Sequence, residues 1–421
     1  MNTSRRSLDG LDYLLIAVVM GLMGAFYWAI RGTGGFGGAA GGTFAGFGWA
    51  LLWLAFSRHG PPDGERRPYS NPWMLWAITL GIAFGGLTGY GVYISWLNGE
   101  FYLNHPEGMR TVGAWTGYTM LFVCGLHWGG NTGCFMAWCA PRRKVTWKGW
   151  LIRIGCGIAG AVAAGVIVRV FPQWFLPFYD EGLYSVDEYA TCRRALGSIR
   201  NIAPHVGLAA GFLGYELARK DWRAAGMILV MALGFAIPFT VGGYWQTMHG
   251  SELRIDWWKN WEMTIGLGGG LAFGLAFYLF NLPGEAPPSK LGPKARAFFQ
   301  TGFPVWLPLA VILLSTYSGV TGHFGIERSA RMGHALIILS LCPFLIASFL
   351  GKGRRLDEKA ALLWLSLPAI CVFQFLLIIA GYLVSIHPEL RLANNVLLTL
   401  YTIYIGLSVV AAGIFAYRRR A

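Results

Sequence analysis

The chain has 421 residues, 55% of them apolar and 13% charged, with a mean hydropathy of +0.48. That composition excludes an ordinary soluble domain. The net charge of +14 does not mark a nucleic-acid partner, because the bases are scattered over short connections and no binding motif accompanies them.

In chain order, twelve apolar runs are long enough to span a bilayer. They cover about 11–30, 34–57, 73–97, 111–139, 149–171, 201–218, 223–246, 261–282, 301–322, 333–351, 359–386 and 393–417. The fold class is therefore an all-α polytopic membrane protein of about twelve transmembrane helices. The first run follows Arg5 and Arg6 without a small-residue cleavage site and reads as an uncleaved helix. The sixth is short and carries Pro204 and His205 near its outer end.

Charge gives a second view of that count. With the N-terminus inside, the inner connections hold 23 of the 34 Lys and Arg and nine acids, a net of +14; the outer side holds eleven of each sign. This asymmetry is the positive-inside pattern, and it predicts an even number of spans with both termini cytoplasmic. The lack of an outer N-x-S/T sequon favours a bacterial inner membrane. Of the seven cysteines only Cys192 falls in an outer loop, so no intrachain disulfide is expected there.

Residues 1–282 repeat one theme four times: an apolar run, a short polar connection with a cation, then a glycine-rich apolar run. The second arms open at Arg31, Arg110, Arg200 and Lys259. Glycine is unfavourable in a soluble helix but allows membrane helices to approach closely. The expected packing is a central group of the even, glycine-rich helices ringed by the bulkier odd ones. A Pro/Lys-rich linker, 283–299, leads to a second subdomain of four Leu/Ile-rich spans, 300–421. The outer loop at 172–198 is aromatic and acidic, with a short helix expected over Val186–Leu196, capped by Ser185 and Glu188.

Three groups of residues could carry chemistry. The outer cations Arg31, Arg110, Arg200, Arg254 and Lys259 sit at or near helix starts, where the dipole end is already positive. A carboxylate or an anionic ligand must offset them, or they snorkel to head groups. Residues 242–263 crowd Tyr244, Trp245, Gln246, His249, Trp258, Lys259, Trp261 and Glu262 into one connection, with aromatic faces suited to a sugar ring or an amphiphilic head group. His249 and Glu262 could act as base and acid. In the fourth span, His127 and Asn131 share a helix face at mid-depth, where an ionisable residue is either functional or bonded to a neighbouring helix. His205 could face the same vestibule. Cys124 and His127 without further ligands do not make a metal site, and no motif calls for a cofactor.

The leading function is a secondary transporter or permease with an outward-opening site lined by Arg and Trp, taking an anionic or sugar-like solute. The alternatives are a membrane-embedded transferase acting at the outer face on a lipid-linked or glycan substrate, with His249, Glu262 or His127 in acid–base roles, and a non-catalytic subunit of a membrane complex. Whether the chain is an enzyme stays open, as does homo-oligomerisation; membrane lipids are its certain neighbours.

Overall fold

Helix α1 (Gly10–Ile30) begins with a reciprocal cap. The Asp12 amide donates to Asp9 Oδ1 at 3.0 Å and the Asp9 amide to Asp12 Oδ2 at 3.1 Å, so two otherwise orphaned donors are satisfied. The computed structural model describes residues 8–30, 38–57, 67–88, 94–102, 109–142, 145–253, 255–283, 293–294 and 391–418. The expected spans at 301–322, 333–351 and 359–386, most of the linker, Arg31 and Arg254 lie outside the described residues.

After α1 come α2 (Gly38–Ser57), α3 (Trp73–Gly86), the one-turn α4 (Ile94–Leu97), strands β1 (Glu100–Tyr102) and β2 (Met109–Thr111), α5 (Ala114–Trp138) and α6 (Trp147–Val170). Then follow α7 (Ala190–Ala218), α8 (Trp222–Gly242), α9 (Trp257–Phe280) and α10 (Arg391–Arg418). Side-chain caps start three of them: Thr146 accepts from the Gly149 amide, Asp221 from Ala224 and Asp256 from Lys259. Among the described residues, five helical stretches are long and apolar enough to cross a membrane. The chain is an integral, helical membrane protein with one small antiparallel ribbon, β1–β2.

Six helices close a ring in the order α1, α2, α3, α5, α8, α9. Its centre is filled with aromatic rings. Trp28 of α1 meets Trp49 of α2, Trp128 of α5 and Phe235 of α8, with centroids 4.7–6.0 Å apart, and Trp49 meets Phe273 of α9 at 5.0 Å. The α6–α7 hairpin docks outside the ring through α7, which packs on α5 and α8, and α10 packs on α1.

The glycine-rich helices do not gather at the centre. Each packs backbone to backbone against a neighbouring helix outside the set: α2 on α3, α5 on α8, α7 on α6 and α9 on α1. A Cβ on Gly42 would fall 2.6 Å from the Ile82 carbonyl, and one on Gly133 would fall 2.7 Å from Ile228 Cα. Gly24 and Gly266, and likewise Gly160 and Gly207, face each other so closely that a methyl on either would strike the other's carbonyl. Close approach needs one flat surface, and a glycine face against a bulky helix satisfies it as well as two glycine faces would.

Two predicted elements differ. The third span breaks: α3 is only 14 residues long and ends at Gly86, in the run Gly85–Gly86 that gives the helix no side-chain support. The sixth is longer than expected. Helix α7 starts at Ala190 and runs 29 residues through Pro204, absorbing 190–196 of the separate helix expected over Val186–Leu196; Tyr189 precedes it, so Ser185 and Glu188 do not cap it.

Both faces are tied. At the end where α1 begins, Arg67 donates to the Asn281 carbonyl at 2.6 Å and the Tyr13 hydroxyl at 3.1 Å, while the Asn281 side chain accepts from the Tyr69 amide at 2.9 Å. Burial pushes the Tyr69 phenol above its ordinary range, against the opposing charge of Arg223. Arg418 of α10 reaches Asp9 at 2.8 Å and Asp12 at 3.0 Å. The start of α1 and the end of α10 therefore share one face. On the opposite face the aromatics of 172–189 cover the ribbon, with Phe178 edge-on to Phe101 at 5.3 Å and Tyr184 near the same ring.

Candidate functional site

Three expected residues from two helices meet outside the aromatic centre. Gly85 lies about 18 Å from the start of α3, His127 about 17 Å from the end of α5 and His205 about 20 Å from the end of α7, at 1.5 Å per residue. Asn71, just before α3, holds the Cys139 carbonyl just past α5 at 3.0 Å, so the first two distances start from one level. Against a hydrocarbon core of about 30 Å, these groups sit near the middle. His205 lies near the middle of α7, which starts eleven residues earlier than the apolar run does.

Neighbouring groups engage most of the polar atoms. The Thr88 hydroxyl donates to the Gly85 carbonyl at 2.9 Å, and its oxygen makes a short contact with His127 Nε2. That nitrogen also lies 3.3 Å from the Gly85 carbonyl. Thr88 Oγ1, His127 Nε2 and the Gly85 carbonyl thus share one hydrogen-bonded junction at the end of α3. Asn131 Nδ2 donates to the carbonyls of His127 at 2.9 Å and His205 at 3.3 Å. His205 Nδ1 donates to the Asn201 carbonyl at 2.7 Å, leaving Nε2 as its acceptor. His127 and Asn131 are 0% and 1% exposed. Their remaining atoms, Nδ1 and Oδ1, are buried and without a hydrogen-bond partner among the described residues. The two imidazole centroids are 6.1 Å apart, with Phe84 against His205 at 4.7 Å and Trp128 beside His127 at 5.9 Å.

No family model, curated protein or solved structure matches this chain.

The other expected residues are more dispersed. Arg110, on β2, is ion-paired with Glu181 of the loop between α6 and α7 and lies 5.3 Å over the Phe178 ring. Lys259 binds Glu262 at 2.6 Å and the Ala29 carbonyl at 2.9 Å, a cation placed on the negative end of α1. Both pairs match the carboxylate-partner reading of the outer cations. Arg200 is exposed on α7, five residues before His205. Within 242–263, Trp245 donates to Thr264 at 3.0 Å and stacks on Trp257 at 5.8 Å; Trp261 is buried and donates to the Phe239 carbonyl at 3.0 Å; Trp258 sits edge-on to Trp261. Gln246 is buried, with its amide 3.3 Å from the Trp257 carbonyl and its oxygen 3.0 Å from His249 Nε2. His249 itself is exposed. Among the described residues no three His, Cys, Asp or Glu are placed to hold a metal ion.

Two groups escaped sequence reasoning. Thr88 follows the broken end of α3 in a stretch without any motif. Arg153 and Glu216 form a 2.6 Å ion pair with side chains 1% and 0% exposed. The guanidinium lies among Trp150, Trp138 and Tyr215, with centroids at 4.4, 5.5 and 5.3 Å. A signal was present: the two are charges of opposite sign within apolar runs, at the end of the hairpin that the two runs share.

Proposed function

We propose that this protein is a permease of the bacterial inner membrane, with both termini cytoplasmic, which binds a small polar solute at His127, Asn131 and His205. The observation that carries the reading is the end of helix α3 at Gly86, which brings the Gly85 carbonyl to His127, beside Asn131 and His205, with His127 and Asn131 fully buried. Interrupted helices with polar groups at the bilayer midplane are how many transporters build a binding site. Polar residues held there are otherwise unfavourable. Arg110, Arg200, Trp245, Trp258 and Lys259 belong, on this reading, to the outer approach. A transferase at the outer face has less support, since His249 is hydrogen-bonded to Gln246 and Glu262 is paired with Lys259.

The test is flux into sealed proteoliposomes across polyols, carboxylates, phosphate and small amines. Wild-type vesicles should equilibrate at least one of these faster than empty vesicles, and Asn131→Leu vesicles should not. If every solute enters wild-type and empty vesicles at the same rate, the permease reading fails.

A further inference from the structure

The turn between α7 and α8 holds a lysine in a place that usually goes to glycine. Helix α7 ends in a Schellman closure: the Lys220 amide donates to the Leu217 carbonyl at 2.9 Å and the Asp221 amide to the Glu216 carbonyl at 3.0 Å. Lys220 occupies the left-handed position of that closure, with φ 56°. A Cβ is disfavoured there, which is why glycine is the common residue. The helix dipole favours a cation at this end, but Arg219, one residue earlier, already supplies one.

This lysine belongs to a basic patch. The first turn of α6 adjoins the last turn of α7: a Cβ on Gly149 would stand 3.0 Å from the Tyr215 hydroxyl, and the Arg219 guanidinium lies 5.3 Å over the Tyr215 ring. Residues 147–154 and 215–223 carry Lys148, Arg153, Arg219, Lys220 and Arg223 against only Glu216 and Asp221. Glu216 is already held between Arg153 at 2.6 Å and Arg219 at 3.6 Å, and Asp221 caps α8. Lys148 and Lys220 are exposed, and neither has a carboxylate partner among the described residues. Trp147 and Trp222, the first residues of α6 and α8, are 68% and 65% exposed. Tryptophans standing out at helix ends settle at the head-group level of a bilayer, which puts the two lysines level with lipid phosphates.

An apolar bed starts where the patch ends. One face of α6 runs from Lys148 through Ile152, Gly155, Ala159, Val162 and Val166, a spacing of three to four residues, and every one of these is exposed. Nothing lies within 4 Å of a Cβ placed on Gly155, so the stripe dips two turns above the lysine. We infer that this end of the α6–α7 hairpin is a specific site for an anionic phospholipid, with its phosphate against Lys148 and Lys220 and an acyl chain along α6. A soluble phosphate would meet the two charges and leave the apolar stripe unused. A zwitterionic lipid would cover the stripe and bring its own cation to the lysines. Such a site would exist whether or not the protein is a permease.

The experiment is thermal unfolding of the delipidated full chain in neutral detergent, with dioleoyl phosphatidylglycerol, dioleoyl phosphatidylcholine or inorganic phosphate added. The midpoint should rise saturably with phosphatidylglycerol and not with the other two. Each lysine removed, in Lys148→Gln or Lys220→Gly, should weaken the apparent affinity about fivefold. Arg194→Gln, at an exposed base near the other end of α7, should leave it unchanged. Lys220→Gly should in addition raise the midpoint measured without lipid, because glycine takes the left-handed conformation freely. A fall in that lipid-free midpoint with unchanged phosphatidylglycerol affinity would assign Lys220 to the helix end alone and overturn the site. So would equal stabilisation by phosphatidylcholine, or a phosphate shift as large as the lipid's. An equal loss of affinity in Arg194→Gln would reduce the effect to the protein's overall charge and overturn the site as well.

Discussion

Arg153 shows how a single charge is kept inside this protein. It lies seven residues into α6, about 10 Å from the helix start, and it is surrounded by three aromatic faces and one carboxylate. Arg219 also approaches Glu216, at 3.6 Å. Taking one member away leaves the other buried and uncompensated, which typically costs about 3–5 kcal/mol, whereas replacing both by apolar groups of similar size is often neutral or better. Glu216→Leu should therefore lower the thermal midpoint in detergent sharply, and Arg153→Met/Glu216→Leu should recover most of the loss. A double variant as unstable as the single one would show that the aromatic box, and not the charge pair, is what stabilises the hairpin. Single residues were unevenly legible in the sequence. His127 and Asn131 stand four apart in an apolar run and could be singled out directly. Thr88 could not, because its role depends on where α3 stops, and a glycine pair inside an apolar run does not by itself announce a break.

At the scale of elements, the repeated glycines predict close packing and the structure has it, but the partner of each helix was not readable. Small residues specify how near a neighbour comes and say nothing of which neighbour it is. That is why α9 pairs with α1, across most of the described chain, and why a central quartet of glycine-rich helices does not exist. Position within the element now decides the effect of a substitution. Gly133→Leu should be strongly destabilising, because Ile228 Cα and the Met227 carbonyl stand 2.7 and 2.9 Å from its Cβ site and a backbone cannot move aside as a side chain can. Gly155→Leu, on the outward face of α6 with no atom within 4 Å of that site, should be neutral or slightly stabilising, since glycine is about 1 kcal/mol poorer than alanine in a helix. Thermal midpoints of the two variants test this; equal losses would mean that helix α6 is covered on that side.

Across the whole molecule, the ion pairs of Arg418 with Asp9 and Asp12 place both described ends on one face. This agrees with the even number of spans required by the charge asymmetry. Cysteines introduced singly at Ser7 and Ala421 should both resist an impermeant thiol reagent in intact cells and both react after lysis, while one at Gln173 in the outer loop should react in intact cells. Labelling of either terminal cysteine from outside would overturn the cytoplasmic assignment.

The partner of α1 has a consequence for biosynthesis. The glycine face of α1 is completed by α9, whose first residue is encoded 247 positions later, and its start is ion-paired with Arg418, later still. At translation rates of about 5–20 residues per second, that face waits on the order of 10–50 s in the bilayer before its partner is made. During that interval the glycine face is open to lipid, and the nascent protein is a ready substrate for insertion factors or for quality-control proteolysis. A ribosome that stops before α9 would leave a fragment containing most of the ring yet unable to close it.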